Sequence, residues 1–260
     1  MGKFLKVLNK ALSRYDLKIT KLSNDFLVDI EGEKEFQELY SFCAPFTMTS
    51  IERMYSLYNS IKYIINNNID GDIVECGIWR GGSAMLIAKY LKIKNIRNRK
   101  IYLYDTYEGM PKPSENDTNF IGENAIVEFS KKSIGDNSSS WCAATIEEVK
   151  KNIYSTGFEE DNIVFIKGKV EKTIPNMLPE DKIAILRLDT DWYESTKHEL
   201  IHLYPLLVDN GVLIIDDFGH WDGAKKAVIE YFNETNQKIF LNRIDYTGRI
   251  GIKTSANSGS

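Results

Sequence analysis

The chain has 260 residues, of which 43% are hydrophobic and 27% are charged. This apolar content excludes an intrinsically disordered chain, and the length allows one large domain or two small ones. The 37 acidic residues outnumber the 33 basic ones, and the net charge of −4 argues against a protein that binds duplex nucleic acid, because that needs clustered Lys and Arg.

Cysteine usage and hydropathy predict the compartment. Cys43, Cys76 and Cys142 are far apart and form no Cys-x-x-Cys pair, so we expect neither a zinc ribbon nor a disulfide framework. No apolar run reaches the roughly 18 residues that a transmembrane helix requires. We therefore predict a reduced, cytoplasmic protein without a membrane-spanning segment.

Residues 1–68 are predicted to be a helical addition. Apolar residues recur at helical spacing over 4–15, with basic residues on much of the remaining surface. This amphipathic helix is expected to pack against the body or a second subunit, and binding to a membrane surface is the alternative. A second helix is predicted to begin near Thr49, which fits a capping box with Glu52, and to end at Asn66–Asn68.

Residues 69–254 alternate between strand and helix patterns, which predicts an α/β domain. The predicted strands span 72–78, 100–105, 162–167, 183–188 and 211–216, and the predicted helices span 82–91, 146–155, 195–204 and 224–232. Repeated βαβ units with almost continuously apolar strands indicate a mostly parallel sheet with helices on both faces. Residues 238–244 and 249–253 are predicted to form a final antiparallel pair, and residues 255–260 a disordered tail.

The connection between residues 106 and 145 shows little periodicity. Connections longer than about 15 residues are usually functional or disordered. This one follows a strand, and ligands in open α/β sheets bind beyond the carboxyl ends of strands. We therefore predict a lid with a short helix near 124–131, and a disordered insertion is the alternative.

The first candidate site, Glu75–Ser83, lies at a strand-to-helix junction. Its glycines let the backbone approach a ligand, and the following helix N-terminus offers free N–H groups. The pattern Glu-x-Gly-x-x-x-Gly-Gly differs from a dinucleotide fingerprint and resembles motif I of class I S-adenosylmethionine (SAM) methyltransferases. A purely structural turn is the alternative. Asp105, at the end of the next strand, is suited to accept two ribose hydroxyls or to cap its own turn.

The strongest candidate site is acidic. Asp189 ends one predicted strand and Asp216–Asp217 end the next, so neighbouring parallel strands place these carboxylates at one edge. Clustered carboxylates resist ionisation unless a cation lies among them, and oxygen ligands suit Mg²⁺. Asp191 is near enough to act as a general base without binding the metal, and His220 is a rival base or a substrate contact.

Together these segments resemble the macrocin O-methyltransferase family, whose members methylate sugar hydroxyls on macrolide and aminocoumarin antibiotics. The resemblance extends from about residue 45 to residue 253, and DTDWYEST and IDDFGHW are its most specific runs. The matching runs are Thr47–Ser50, Val74–Met85, Leu103–Pro113, Trp141–Cys142, Lys167–Pro175, Leu186–Leu200, Val212–Val228 and Asn242–Lys253.

This resemblance implies a Rossmann-like, seven-stranded sheet, SAM as methyl donor, Mg²⁺ as metal and a sugar hydroxyl of a natural product or glycan as acceptor. It implies Asp189, Asp216 and Asp217 as metal ligands and Asp191 as the base. It also implies that the N-terminal part shapes the acceptor site, the lid and the contacts of a homo-oligomer. The residues that it places at the SAM site are Thr47, Thr49, Ser50, Glu75, Gly77, Arg80, Gly82, Ser83, Asp105, Gly168 and Asp189.

Three other functions remain open from the sequence. A catechol-type methyltransferase acting on an aromatic diol shares the metal chemistry, and an aromatic acceptor pocket would favour it. An NAD-dependent sugar oxidoreductase would need the dinucleotide fingerprint that this chain lacks. A non-catalytic nucleotide-binding module would tolerate a degenerate site, but every expected acid is present.

Overall fold

The computed structural model describes residue 12 and residues 28–136, 138–180 and 182–255. The chain divides into two compact units, residues 1–37 and 38–260. The predicted amphipathic helix over 4–15 lies outside the described residues except for Leu12, and so does the tail after Ser255. The predicted division at residue 68, the homo-oligomer and the cytoplasmic location stay predictions.

The described strands form one large sheet and one small hairpin. The large sheet has seven strands in the order β5–β2–β1–β6–β7–β9–β8, and β3 pairs with β4. Strands β1, β2, β5, β6 and β7 are parallel, whereas β9 runs antiparallel to β7 and β8 antiparallel to β9. The strands are β1 Asp72–Cys76, β2 Ile101–Asp105, β3 Ser133–Gly135, β4 Ser138–Ser139, β5 Ile163–Lys167, β6 Ile183–Leu188, β7 Leu207–Ile215, β8 Asn242–Arg243 and β9 Arg249–Ile252.

The predicted helices between the strands are confirmed, with small shifts of their ends. Three described helices, α1, α2 and α7, were not predicted from the sequence. None of the helices in the described ranges combines the length and apolarity needed to cross a bilayer. The helices are α1 Val28–Gly32, α2 Lys34–Cys43, α3 Ile51–Asn66, α4 Gly82–Ile93, α5 Ala125–Lys132, α6 Ile146–Tyr154, α7 Val170–Thr173, α8 Tyr193–Leu203 and α9 Asp222–Glu234.

The N-cap of α3 corrects one prediction. The helix is capped by Ser50, whose Oγ accepts the N–H of Arg53 at 3.2 Å, and not by Thr49. The hydroxyl of Thr49 instead accepts a hydrogen bond from Arg187 on β6 at 3.3 Å. Both residues suit an N-cap, and a tertiary partner decided which one takes that role.

The central strands position the site because they are buried along their whole length. Every residue of β1 and β6 is buried, as expected for parallel strands covered on both faces. The chain leaves β1 toward β2 on one side, and β6 lies on the other side. This reversal of strand order opens a crevice at the carboxyl ends of β1 and β6, where both predicted sites lie.

The long insertion is ordered and anchored by Asp117. Its predicted short helix is confirmed as α5, which Asn124 caps by accepting the N–H of Ile126 at 2.9 Å. Asp117 is fully buried, and it accepts the N–H groups of Tyr193 at 2.7 Å and Ser114 at 2.6 Å. The insertion therefore contains a helix and contacts the start of α8, and its role as a lid stays a prediction.

Candidate active site

A cleft lies at the carboxyl ends of β1, β2, β5 and β6, where open α/β sheets bind their ligands. We call it the donor cleft. Much of its lining comes from the turns that follow these strands. The predicted site residues that line it are Gly77, Asp105, Gly168, Asp189 and Asp191.

A second cleft, which we call the acidic cleft, shares Asp189 and Asp191 with the donor cleft. Its other charged residues come from α3 and from the end of β7. The predicted site residues that line it are Thr47, Thr49, Ser83, Asp189, Asp191, Asp216, Asp217 and His220.

Gly77 brings the two central strands together at the donor cleft. Its φ is +84°, and its N–H donates to Tyr104 at 2.9 Å. A Cβ at this position would overlap the carbonyl oxygen of Asp189. The first turn of the site therefore requires glycine for both its conformation and its close contact with β6.

We expect the Gly77→Ala variant to lose about 2–4 kcal/mol of unfolding free energy, because it combines an unfavourable φ with a backbone overlap. Gly122→Ala is the matched control, since Gly122 has a φ of +85° and a Cβ added there would meet no atom within 4 Å. Its loss should be about 1 kcal/mol. Equal losses in urea unfolding of the two variants would contradict the close contact.

Asp105 mainly supports the turns around it. Its carboxylate accepts the N–H groups of Ile78 at 2.6 Å, Trp79 at 3.1 Å and Tyr107 at 2.7 Å. The capping role is therefore present in the structure. A carboxylate has about four lone-pair sites, so these three N–H groups do not exclude a further donor. Asp105 also lines the donor cleft, and its predicted contact with a ribose stays a prediction.

Glu75 lies beneath the site and does not line either cleft. It is fully buried, and its Oε1 atom accepts hydrogen bonds from the Ser83 hydroxyl and from Arg187, the latter at 2.5 Å. Burial raises the pKa of Glu75 despite the nearby charge of Arg187. In these contacts it positions Arg187.

Three further predicted residues also lie outside the linings of the two clefts. The Arg80 guanidinium pairs with Glu148 at 2.7 Å and donates to the carbonyl of Pro45 at 3.1 Å. The hydroxyl of Ser50 donates to Asp245 at 2.8 Å. Gly82 starts α4 against the backbone of Phe46, where a Cβ would be 2.8 Å from its carbonyl oxygen. These positions support the segment around residues 45–50.

The predicted acidic cluster is formed. Asp189, Asp216 and Asp217 each offer one carboxylate oxygen, and these atoms lie within 4.8 Å of one another. Among the described residues, the Oδ2 atom of Asp217 is buried without a hydrogen-bond partner. A buried acceptor without a partner is costly, so this atom and the all-oxygen donor set fit a hard divalent cation.

Two arginines that the sequence reading missed hold the cluster in place. Arg187 is buried and contacts Glu75 at 2.5 Å, Asp189 at 2.8 Å and Asp216 at 2.6 Å. Arg53 on α3 contacts Asp216 as well. A charge inside the apolar strand IAILRL was a signal for Arg187, because a buried charge needs partners. Nothing comparable in the sequence indicated that Arg53 contacts this cluster.

The electrostatics of the acidic cleft favour protonated carboxyl groups in the absence of a cation. Burial raises the pKa of Asp217, and the charges of Asp191 and Asp216 add to this effect. Burial and the charge of Asp189 raise the pKa of Asp191 to about 7. A cation among these groups would favour their ionised forms.

Asp191 and His220, the two predicted bases, both reach the acidic cleft. Asp191 lines both clefts, has a φ of +66° and accepts the indole N–H of Trp221 at 2.7 Å. His220 lines only the acidic cleft, with its Nδ1 3.1 Å from the Tyr246 hydroxyl. Burial, together with the charge of Arg53, lowers the pKa of His220. Asp191 therefore lies where the two clefts meet, whereas His220 lies in the acidic cleft, and the role of either as a base stays a prediction.

Comparison with known proteins shows which family the chain matches. The sequence profile of macrocin O-methyltransferase (TylF) matches residues 29–250. The chain belongs to the macrocin O-methyltransferase family. This methyltransferase is 31% identical, over 76% of its length and 72% of the relative's, to the demethyldecarbamoylnovobiocin O-methyltransferase of Streptomyces niveus. It is 29% identical, over 78% of its length and 76% of the relative's, to the mycinamicin III 3''-O-methyltransferase of Micromonospora griseorubida.

Solved structures agree with this family and confirm the fold. The O-methyltransferase NovP matches with a TM-score of 0.71 and 31% identity, over 80% of this chain and 82% of NovP. The calicheamicin methyltransferase CalS11 matches with a TM-score of 0.56 and 18% identity, over 96% of this chain and 91% of CalS11, which bears on the fold alone. This methyltransferase therefore has the predicted Rossmann-like fold and is a SAM-dependent O-methyltransferase.

Proposed function

We propose that the protein transfers the methyl group of SAM to a sugar hydroxyl and that the reaction requires Mg²⁺. The observation that carries this proposal is the convergence of Asp189, Asp216 and Asp217 within 4.8 Å at a cleft that shares two aspartates with the donor cleft. This arrangement supports a cation site and a methyl-donor site that lie next to each other.

The donor cleft is the proposed SAM site. Gly77, Gly168 and Asp105 line it, and the glycine turn lets a ligand approach the backbone closely. Asp189 lies at the boundary with the acidic cleft, so it is positioned to face both SAM and the cation. Thr47 and Thr49 line the acidic cleft and not the donor cleft, so their contact with SAM stays a prediction.

Asp189, Asp216 and Asp217 are the proposed metal ligands. When bound, Mg²⁺ lowers the pKa of a coordinated hydroxyl. Arg187 holds Asp189 and Asp216 in place through ion pairs of 2.8 Å and 2.6 Å. The buried Oδ2 atom of Asp217 supports this assignment, because no donor in the described residues forms a hydrogen bond with it.

Asp191 is the proposed general base. It takes the proton of the reacting hydroxyl at a carboxylate oxygen, while Trp221 holds the side chain through its indole N–H. Asp191 lines both the donor cleft and the acidic cleft, which suits a group that must act where the methyl donor and the acceptor meet. His220 remains the alternative base or a contact to the acceptor.

The names of the relatives support a sugar as acceptor. One relative of Streptomyces olivaceus, 29% identical over 82% of this chain and 78% of its own length, is a 4'-O-methyltransferase acting on a rhamnosyl-tetracenomycin. Aromatic residues in the acidic cleft, among them Phe46, Trp141 and Trp221, offer faces for a sugar ring. The same rings favour an aromatic diol as a second candidate acceptor.

Methyl transfer from radiolabelled SAM to a panel of glycosides and to catechol tests this proposal. We expect transfer to glycosides, loss of transfer in EDTA, recovery with MgCl₂ and loss of transfer in Asp189→Ala. Persistent transfer in EDTA and in Asp189→Ala would contradict the metal requirement. Transfer to catechol alone would replace the sugar with the aromatic diol.

The electrostatics of Asp191 predict how Mg²⁺ affects thermal stability. Its pKa is raised to about 7, whereas an unfolded Asp titrates near about 3.9, so between these values the folded chain holds a proton that the unfolded chain has lost. The stability of the metal-free protein therefore falls as the pH rises through this window. Because a cation removes this penalty, MgCl₂ should raise the Tm by about 4 °C more at about pH 8 than at about pH 5.5.

Thermal unfolding at both pH values measures this effect. The Asp191→Asn variant is the control, since it lacks the titrating group and its metal-free Tm should depend less on pH. A rise in Tm with MgCl₂ that is equal at both pH values would contradict the electrostatic argument.

A further inference from the structure

Both carboxylate oxygens of Asp216 have a cationic partner within the chain. The Oδ1 atom accepts a hydrogen bond from Arg187 at 2.6 Å, and the Oδ2 atom accepts one from Arg53. The side chain of Asp216 is 2% exposed, so these two guanidinium groups supply most of its counter-charge. Asp216 therefore enters the proposed metal site with its charge already balanced by two arginines.

The two arginines differ in how easily they can leave Asp216. Arg187 is 2% exposed and also pairs with Glu75 and Asp189, so it is held on several sides within the sheet. Arg53 is 12% exposed, and it lines the acidic cleft from the first turn of α3. Of the two, Arg53 is the one that can release Asp216 without leaving other buried carboxylates unpaired.

Arg53 has a second carboxylate that can keep it paired after such a release. Its Nε atom pairs with Asp245 at 3.0 Å, while its Nη1 atom pairs with Asp216. The planar guanidinium presents its donors as a rigid fork, which lets one side chain join two carboxylates. Losing the contact with Asp216 therefore leaves Arg53 with a charged partner.

Local hydrogen bonds fix Asp245 in the position that this role requires. Its Oδ1 atom accepts the N–H groups of Thr247 at 2.9 Å and Gly248 at 2.7 Å, and its Oδ2 atom accepts the hydroxyl of Ser50 at 2.8 Å. Burial acts in the other direction, but these hydrogen bonds and the charge of Arg53 lower the pKa of Asp245. Asp245 therefore stays ionised near neutral pH.

Arg53 keeps a full positive charge at the wall of the acidic cleft. Burial disfavours this charge, but Asp216, Asp245 and Asp189 outweigh burial and raise the pKa of Arg53. Two cations that share one carboxylate repel each other, and the repulsion is stronger in a partly buried site than in water. The presence of Arg53 therefore opposes the binding of a second cation at Asp216.

We propose that Arg53 competes with the metal ion for Asp216, so that Arg53 is shared between Asp216 and Asp245 in the metal-free protein and pairs with Asp245 alone when the metal is bound. Arg53 is then a positioning residue that acts through Asp216. It balances the charge of the metal-free site and lowers the affinity for the metal. The inference rests on the proposed metal site and adds what the chain does there when no metal is bound.

Direct metal binding measures this competition. The full chain is stripped with EDTA, dialysed and titrated with MnCl₂, because Mn²⁺ shares the oxygen preference of Mg²⁺ and electron paramagnetic resonance counts the unbound ion. Arg53→Met should bind Mn²⁺ about tenfold more tightly than the parent protein, because the variant lacks the competing charge. Removing a residue with a purely structural role would not tighten metal binding.

Arg243→Met is the matched control, because it removes the same charge from an exposed residue beside Asp245. Arg243 donates to the backbone carbonyl of Asp245 at 2.6 Å, so it does not share the carboxylates. The affinity of Arg243→Met for Mn²⁺ should stay within about twofold of the parent. Unchanged affinity in Arg53→Met, or equal tightening in both variants, would overturn the competition.

Asp245→Asn tests the second partner and does not depend on whether Arg53→Met folds. Asparagine keeps an acceptor for the N–H groups of Thr247 and Gly248, but it lacks the charge that draws Arg53 from Asp216. Mn²⁺ should therefore bind about threefold more weakly to this variant, and unchanged affinity would overturn the exchange of partners. In the Arg53→Met background the loss should be smaller, whereas an equal loss in both backgrounds would mean that Asp245 acts on the metal directly and would also overturn the exchange.

The same titrations, with thermal unfolding to check the fold of each variant, separate this inference from the proposed function. Mn²⁺ binding in the parent that Asp217→Asn abolishes and Arg53→Met leaves unchanged supports the metal site and overturns the role of Arg53. Binding that tightens in Arg53→Met, together with methyl transfer that persists in EDTA, supports the competition and contradicts the metal requirement of the reaction. Absence of Mn²⁺ binding in both the parent and Arg53→Met overturns both.

Discussion

The Asp217→Asn variant is expected to lose methyl transfer by at least about 10³-fold while its metal-free form becomes more stable. Asparagine keeps the shape of the side chain but removes the charge of a proposed metal ligand. The pKa of Asp217 is raised by burial and by the charges of Asp191 and Asp216, so its ionised form strains the metal-free protein. Removing that charge relieves the repulsion.

Two measurements on one variant make this prediction specific. The value of kcat should fall, and the Tm of the EDTA-treated protein at about pH 8 should rise by a few degrees. Asp222→Asn is the control, because Asp222 is an exposed acid at the start of α9. It should change kcat by less than about twofold. More than a tenth of the parent activity in Asp217→Asn would remove Asp217 from the proposed metal site.

The Arg187→Met variant is expected to lose about 3–5 kcal/mol of unfolding free energy, because it leaves buried carboxylates without the guanidinium that pairs with them. Arg187 contacts Glu75, Asp189 and Asp216 from inside the sheet. Burial disfavours its charge, but these three carboxylates outweigh burial and raise the pKa of Arg187. Methionine fills a similar volume without replacing any of these contacts.

Urea unfolding measures the loss, and Arg97→Met is its control. Arg97 is 66% exposed and pairs with Glu159 at 3.4 Å, so its removal should cost less than about 1 kcal/mol. A double variant, Arg187→Met with Glu75→Gln, should recover part of the stability because it removes one of the unpaired charges. A loss in Arg187→Met no larger than in Arg97→Met would contradict the role of the buried network.

The acidic cluster was predictable because its geometry follows from strand direction alone. Asp189 and the pair Asp216–Asp217 directly follow buried strands, and parallel neighbours end at the same edge of a sheet. Their meeting within 4.8 Å required only that β6 and β7 be adjacent. Gly77 was predictable for a similar reason, since a strand-to-helix turn beside a ligand needs a residue without a Cβ.

The roles of Glu75, Arg80 and Ser50 were not predictable, because their partners lie far away in the sequence. Glu75 faces Arg187, Arg80 faces Glu148, and Ser50 faces Asp245. A motif shows that a polar residue stands near a site, but it does not show whether that residue points toward the ligand or toward the scaffold. Glu75 is an example, because it lies beneath the clefts and binds Arg187.

The sequence predicted only some features of the insertion. A helix near residues 124–131 was visible in the sequence because Asn124 and the following apolar spacing are local signals. The β3–β4 hairpin and the anchor at Asp117 were not visible. Asp117 accepts the N–H of Tyr193, a contact across the fold that only the packed structure creates.

The sequence by itself determined the α/β architecture, the glycine turn at Gly77 and the edge of the sheet where Asp189, Asp216 and Asp217 lie. These features depend on apolar periodicity and on strand direction, which are local properties of a chain. The tertiary structure alone decided which charges are paired, through Arg187 and Arg53, and which rings border the site, through Trp221 and Tyr246. Pairing and ring contact depend on distances between segments far apart in sequence, and packing sets those distances.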